Sequence, residues 1–325
     1  MLHQPAPDPA SDPMPVARRL AGVASLIGSL INLGLIRLSS SPSHRLETFA
    51  AADGQRIPLR AAGSAPPPIV LVHGLGCSHR SWWPVARRLA TRHRVLAWDA
   101  RGHGACRVER GASITLTQLG SDLAALLDHL GVPRAVLVGH SMGALTVMQY
   151  MSDFGTGRVA AACLVDQSPR IVTDDEWRLG LFGGCSAPML EALIEGARRD
   201  LTDTVLHQID AGTNAWLKRR MAPDAFMGRR LREWLKGIDA APLLDLAQSL
   251  AKADFRQSLA RLDSPLMVVL GAASPHYGQV PLADWYRRHV PHANISTYER
   301  AGHSPHYTEP MRFARDLEQF LADHA

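Results

Sequence analysis

Ala135-Val136-Leu137-Val138-Gly139-His140-Ser141-Met142-Gly143 sets an uninterrupted apolar run against a Gly-x-Ser-x-Gly turn, and residues 142–152 then carry a helical pattern. A short continuous apolar run bounded by a turn signal suits a strand covered on both faces. The spacing therefore predicts strand, sharp turn and helix in direct succession, the setting in which this motif lifts a serine hydroxyl above the edge of a sheet. Gly139 and Gly143 leave room for the strained turn and the incoming helix. Met142 places its backbone N–H at a helix N-terminus, where developing negative charge is stabilised. Ser141 is the candidate nucleophile. A chance match in a glycine-rich turn is the competing reading, and the flanking strand and helix weigh against it.

Outward from this centre the pattern repeats on both sides. Residues 45–51 and 56–61 flank the turn signal Asp53-Gly54, which predicts a hairpin, and 68–73 is a short apolar run suited to a buried strand. Further strand-like runs at 94–99, 159–166, 265–271 and 295–299 alternate with helical stretches at 81–90, 116–130, 282–290 and 309–322. This alternation predicts an α/β fold with a doubly wound, mostly parallel sheet behind an antiparallel start. Between 171 and 263 the strand pattern stops, and short helical stretches carrying Trp177, Phe182, Trp216 and Trp234 predict an inserted helical lid. The expected organisation is a tail and apolar helix at 1–44, a core at 45–170 and 262–325, and a helical cap at 171–261.

The 325 residues are 46% hydrophobic and 20% charged, which excludes disordered, collagen-like and disulfide-stapled classes. The formal charge of +5 comes from Arg, since Lys stands only at 218, 236 and 252. Arg pairs such as Arg87-Arg88 and Arg229-Arg230 are spread along the chain without forming a basic arm, so nucleic acid is not an expected partner. Cys77, Cys106, Cys163 and Cys185 show no CxxC spacing, against a zinc ribbon or disulfide framework, and a reducing, cytoplasmic compartment is the default. Cys163 reads as inert core and Cys77, after a glycine-rich turn, as partly exposed.

Residues 1–16 are rich in Pro, Asp and Ala without periodicity, and 20–36, from Leu20 to Ile36, are uncharged between Arg18-Arg19 and Arg37. As a helix the latter spans about 26 Å, short of a hydrocarbon core of about 30 Å, and Ser25, Ser29 and Asn32 give it a small polar stripe. Peripheral membrane contact, packing on the chain's own core and self-association are the readings it leaves open.

Two further loops carry chemistry. His73-Gly74-Leu75-Gly76 closes the strand at 68–73, where a loop supplies the second backbone donor of an oxyanion hole, and the Leu75 N–H is the candidate. His303 stands in Arg300-Ala301-Gly302-His303-Ser304-Pro305-His306, between the last strand and the last helix, at the edge where such sheets bind ligands. Its imidazole can reach a serine there and act as general base. His306 suggests a metal pair, but no third ligand stands at a recognised spacing, so no metal site is expected.

With His73-Gly74-Leu75-Gly76, Trp82-Trp83, Asp99-Ala100-Arg101-Gly102-His103-Gly104, Gly139-His140-Ser141-Met142-Gly143 and Gly302-His303, the chain resembles the α/β-hydrolase superfamily from about residue 45 to 323. Within it the chain is similar to serine esterases and lipases with a helical cap, and to cofactor-free perhydrolases and haloperoxidases. The resemblance implies hydrolysis of carboxylic esters, lactones or thioesters through an acyl-enzyme at Ser141, with no metal or organic cofactor. Its alternatives are interception of that acyl-enzyme by peroxide, and a noncatalytic ligand-binding relative. The turn from Asp99 to Gly104 is similar to a structural brace in that family. Most members carry an acid after the strand matching 265–271, yet Gly271-Ala272-Ala273-Ser274-Pro275-His276-Tyr277 holds no carboxylate. A minority carries it after the preceding strand, which makes Asp166, in Val165-Asp166-Gln167-Ser168-Pro169, the expected partner of His303. The alternative is that Asp166 caps local backbone N–H groups. In the lid, Trp177, Phe182 and Trp216 are the candidate pocket residues for an apolar acyl or aromatic group of a small-molecule ester, against the reading that they form the lid's own core.

Overall fold

In the computed structural model, β1 (Glu47–Ala50), β2 (Arg56–Ala62), β3 (Ile69–Val72), β4 (Val95–Trp98), β5 (Ala135–His140), β6 (Val159–Val165), β7 (Leu266–Gly271) and β8 (Asn294–Tyr298) form one sheet. The structure describes residues 46–211, 219–237, 239–277 and 279–324. The spatial order is β1-β2-β4-β3-β5-β6-β7-β8, antiparallel from β1 through β2 to β4 and parallel from β4 to β8. Gly54, at φ +85°, makes the turn of the β1–β2 hairpin.

The helices of the first half are α1 (Trp83–Leu89), α2 (Leu116–Leu130) and α3 (Met142–Phe154). Between β6 and β7 lie α4 (Ala187–Arg199), α5 (Leu201–Ala211), α6 (Phe226–Lys236), α7 (Ala241–Lys252) and α8 (Arg256–Ala260). The chain then adds α9 (Gln279–His289), a single turn α10 (Pro305–Thr308) and α11 (Pro310–His324).

Strand side chains alternate between two covers, which is why the runs read as continuously apolar. Ile69 and Leu71 of β3, Val136 and Val138 of β5 and Met267 and Val269 of β7 pack in one cluster with Trp82, Val85 and Leu89 beside α1 and Phe313, Leu317 and Phe320 of α11. Val70, Val72, Leu137 and Val268 pack on the other face with α2, α3 and α9 residues such as Leu123, Leu145 and Tyr286. α2 has clear boundaries: Thr115 accepts from Gln118 N–H at 3.2 Å, and Gly131 ends it at φ +60°.

Connections leave β3 towards β4 on one side and reach β5 on the other, so the loops after β3 and β5 diverge and open a crevice at the carboxyl edge. The inserted helices carry a small separate cluster of Val205, Ile209, Met221, Leu231 and Leu235. Cys77, expected to be partly exposed, is instead buried, and burial pushes its thiol up to about 11. The apolar segment 20–36 and Trp216 lie outside the described residues. No helix among the described residues is long and apolar enough to cross a membrane.

Candidate active site

Ser141 links β5 to α3 at φ 53° and ψ −121°, a conformation that costs a non-glycine residue on the order of 1–3 kcal/mol. Close backbone approach on both sides imposes it. A Cβ at Gly139 would stand 2.3 Å from the Gly143 carbonyl oxygen, and one at Gly143 would stand 2.2 Å from that of Val72. The glycines thus press the elbow against the end of β3. The next loop lies on top of it, since a Cβ at Gly74 would come within 3.2 Å of Ser141 Cβ and 2.8 Å of His140 Nδ1. His73 fixes that loop: its Nδ1–H donates to the Gly74 carbonyl at 2.8 Å, and its Nε2 accepts from Ala100 N–H at 3.0 Å. Burial holds His73 below its ordinary pKa, so it acts as a neutral strut. Leu75, in the same loop, and Met142, at the start of α3, therefore flank Ser141 in the chain's path.

Asp166 follows β6 at φ +48°, and its side chain is fully buried. Its Oδ1 accepts from Gly271 N–H at 2.9 Å, and its Oδ2 accepts from Ser274 Oγ–H at 2.6 Å and from His303 Nδ1–H at 2.7 Å. These partners come from β7, the loop after β7 and the loop after β8, so the reading of Asp166 as a cap of nearby backbone gives way to a long-range clamp. An ionised Asp166 only accepts, which fixes the proton of neutral His303 on Nδ1 and leaves Nε2 with a lone pair. The histidine loop is also tied to the elbow: His140 Nε2–H donates to the His303 carbonyl at 2.7 Å, and the two rings stand 4.7 Å apart.

Around His303 the structure gathers further rings. His276 stacks on it at 3.7 Å between centroids and 19° between planes, with Phe182 on His276 at 5.4 Å. His306 contacts His140 and Trp82 at 4.5 and 4.1 Å. Burial, followed by the neighbouring imidazoles, pushes His140 well below its ordinary pKa; burial and His303 do the same to His276 and lower His306 to about 3. All are neutral near pH 7. Neither Ser274 nor His276 is a carboxylate, so nothing in the residue types of the loop after β7 marks them as partners of Asp166 and His303.

Trp177 and Phe182, two of the expected pocket residues, are both buried. Trp177 is buried, donates its indole N–H to the Arg170 carbonyl at 2.8 Å and meets Trp285 edge-on at 5.5 Å, so it packs the cap against α9. Phe182, at φ 58°, donates its N–H to the His276 carbonyl at 2.6 Å and supports the histidine stack. Neither lines the apolar cavity of about 110 Å³ that opens beside Leu75. That cavity is walled instead by Leu190, Leu193, Ile194 and Ala197 of α4 and by aliphatic residues of α5 and α7. The α4 residues stand at i, i+3, i+4, i+7, the spacing of one helix face. The turn after β4 is a brace: Arg101 bonds Asp122 of α2 at 2.6 Å and Asp53 of the hairpin at 2.7 Å.

Residues 69–316 match the model of the Alpha/beta hydrolase family. The chain is 26% identical over 261 residues to 3-oxoadipate enol-lactonase 1 of Acinetobacter baylyi, covering 78% of this chain and 88% of that protein. It is 32% identical over 263 residues to the sn-1-specific diacylglycerol lipase ABHD11 of Mus musculus, covering 79% of this chain and 81% of that one. An esterase from Exiguobacterium antarcticum shares the fold, with a TM-score of 0.69 at 18% identity over 86% of this chain and all of that one (100%). A strained Gly-x-Ser-x-Gly elbow on a parallel sheet, matched over most of the chain by that family, leaves one conclusion: the protein belongs to the alpha/beta hydrolase family and is a hydrolase.

Proposed function

We propose that the protein hydrolyses carboxylic esters through an acyl-enzyme on Ser141. The observation that carries this reading is the Asp166–His303 pair at 2.7 Å, tied through His140 to the strand that presents the serine. His303 Nε2 takes the Ser141 proton as Oγ attacks the ester carbonyl, and Asp166 holds the ring and stabilises the imidazolium. The Leu75 and Met142 N–H groups hold the oxyanion. Collapse of the tetrahedral intermediate breaks the acyl–oxygen bond, and the imidazolium returns its proton to the departing alcohol. Water then attacks the acyl group while giving a proton to His303, and Ser141 leaves with that proton restored.

Ser274 is a positioning residue in this scheme. Its hydroxyl donates to the same Asp166 oxygen that holds His303, so it fixes the carboxylate's rotation without meeting substrate. Activity on acyl–oxygen bonds accords with relatives whose names describe a lactonase and a diacylglycerol lipase.

The test is a series of p-nitrophenyl esters from two to sixteen carbons, run with and without hydrogen peroxide, on the wild type and on Ser141→Ala. Hydrolysis in water alone, reduced at least about a thousandfold in the variant, is the expected result. Absence of turnover on every ester, or a variant as active as the wild type, overturns the reading. Acyl transfer to peroxide without hydrolysis would reassign the acceptor.

A further inference from the structure

The cavity beside Leu75 is distinctive for what its walls lack. Among its lining residues are no charged group and no aromatic ring, and Thr204 is the one polar residue type. Two of the helices that wall it, beside α5, carry apolar stripes: the α4 stripe, and a second one of Leu243, Leu244, Ala247 and Leu250 on α7, at i, i+1, i+4, i+7. Apolar stripes on adjacent helices ordinarily close on each other to native density. Here about 110 Å³ remains between them. An apolar space of this order stays dry and takes up small apolar molecules, a cavity of about 150 Å³ being enough for a six-carbon ring.

Position says which part of a substrate it receives. Leu75 is common to the cavity wall and to the proposed oxyanion hole, which sets the cavity next to the position of the reacting carbonyl. We infer that this cavity binds the acyl chain, and that it selects uncharged, unbranched aliphatic acyl groups of about four to eight carbons over acetyl and carboxylate-bearing acyl groups. The lower figure follows from the volume, and the upper from the open side of the cavity. A carboxylate in this space has no cation to meet and a large desolvation cost, so acyl groups derived from dicarboxylic acids are rejected.

The inference rests on the ester-hydrolase reading, and two measurements separate their failures. With p-nitrophenyl esters, kcat/KM rises about threefold to fourfold per methylene from acetate to about hexanoate and then levels. Ala247→Phe or Ala197→Phe, each adding a ring from a different helix, reduces the hexanoate-to-acetate ratio at least tenfold. A flat chain-length profile with Ser141-dependent turnover of acetate overturns the inference and leaves the reading intact. Independently of turnover, calorimetric titration of Ser141→Ala with hexanamide, acetamide and adipic acid monoamide reads the cavity alone. Hexanamide binding at least tenfold tighter than both others supports the inference even if no ester is cleaved. Equal affinities for the three, or preference for the charged amide, overturn it.

Discussion

Two buried carboxylates each hold a histidine at the end of a strand, and they differ in where that histidine is tied. Asp99, after β4, accepts from His79 Nδ1–H at 2.9 Å, and Asp166, after β6, accepts from His303 Nδ1–H at 2.7 Å. Both side chains are fully buried. The rest of the Asp99 carboxylate closes its surroundings: it takes His79 N–H at 2.7 Å and Ala105 N–H at 2.8 Å, and a Cβ at Gly104 would collide with it at 2.3 Å. Burial, the largest single influence, pushes its pKa up, but the hydrogen bonds from His79 and Ala105 together with the nearby His79 and His73 imidazoles outweigh it and hold the carboxyl below its ordinary value. Asp166 is clamped as tightly, yet its histidine loop is bonded to His140, next to Ser141. β6 adjoins β5, whereas β3 separates β4 from β5. An Asp–His pair is therefore a chemical motif whose role is set by the strand that carries it.

The largest contrast comes from removing one charge in each pair. Asp166→Asn favours the wrong imidazole tautomer and lowers kcat on a p-nitrophenyl ester by up to about ten-thousandfold, with little change in KM. Asp99→Asn keeps kcat within about fivefold and lowers the melting temperature by about 5 °C, since it weakens buried hydrogen bonds that only the fold uses. Equal effects on turnover would erase the distinction.

Next is Ser274→Ala, which leaves the Asp166–His303 bond but loosens the carboxylate. A fall in kcat of about tenfold at nearly constant KM is expected, because a carboxylate free to rotate holds the imidazole less well. Ser274→Thr, which keeps the hydroxyl, restores kcat. A purely structural role would lower the melting temperature and leave kcat at the wild-type value below the transition.

Both regions share one liability. Burial lowers His103, beside Asp99, and His306, beside the active site, to about 3, against 6.5 for a free imidazole. A histidine whose folded pKa is depressed leaves the unfolded chain to bind protons first, so stability is complete above about 6.5 and is lost as pH falls towards 3. Each group contributes a loss of up to about 2 kcal/mol by pH 5. The melting temperature should fall between pH 7 and pH 5, and His306→Gln should flatten part of that slope. A melting temperature independent of pH across this window would contradict the buried neutral assignment. The smallest effect is expected at the N-terminus: deletion of residues 1–40 keeps ester turnover within about twofold while altering liposome binding or oligomeric size. A chain that no longer folds would place that segment in the core.

Strands were legible because two covered faces make continuous apolar runs, as at 135–140, and the elbow was legible because a strained serine needs glycines at fixed places. Asp166 could be named because a minority of the family that the chain resembles carries its acid after the strand matching β6, and the loop after β7 holds no carboxylate. Its clamp could not, since Gly271 contributes only a backbone N–H and Ser274 is unremarkable as a residue type. The packing of Trp177 and Phe182 was hidden for a different reason. Trp177 and Phe182 look like ligand-binding residues by type, but large rings also fill the seams where a cap meets a core, and here they do so. Small aliphatic residues on α4 and α7 leave the space. The start of α1 differs as well: the stretch at 81–90 begins as a 3₁₀ turn at His79–Trp82, with Pro84 in the first turn of the helix proper.

The most direct test is to trap the acyl-enzyme. The wild type and Ser141→Ala are mixed with p-nitrophenyl hexanoate, quenched in acid within milliseconds, and digested for mass spectrometry. A hexanoyl mass increment on the peptide bearing Ser141, appearing with a burst of p-nitrophenol and absent from the variant, is the predicted result. Steady turnover with the increment on another residue, or an unchanged burst in Ser141→Ala, would contradict it.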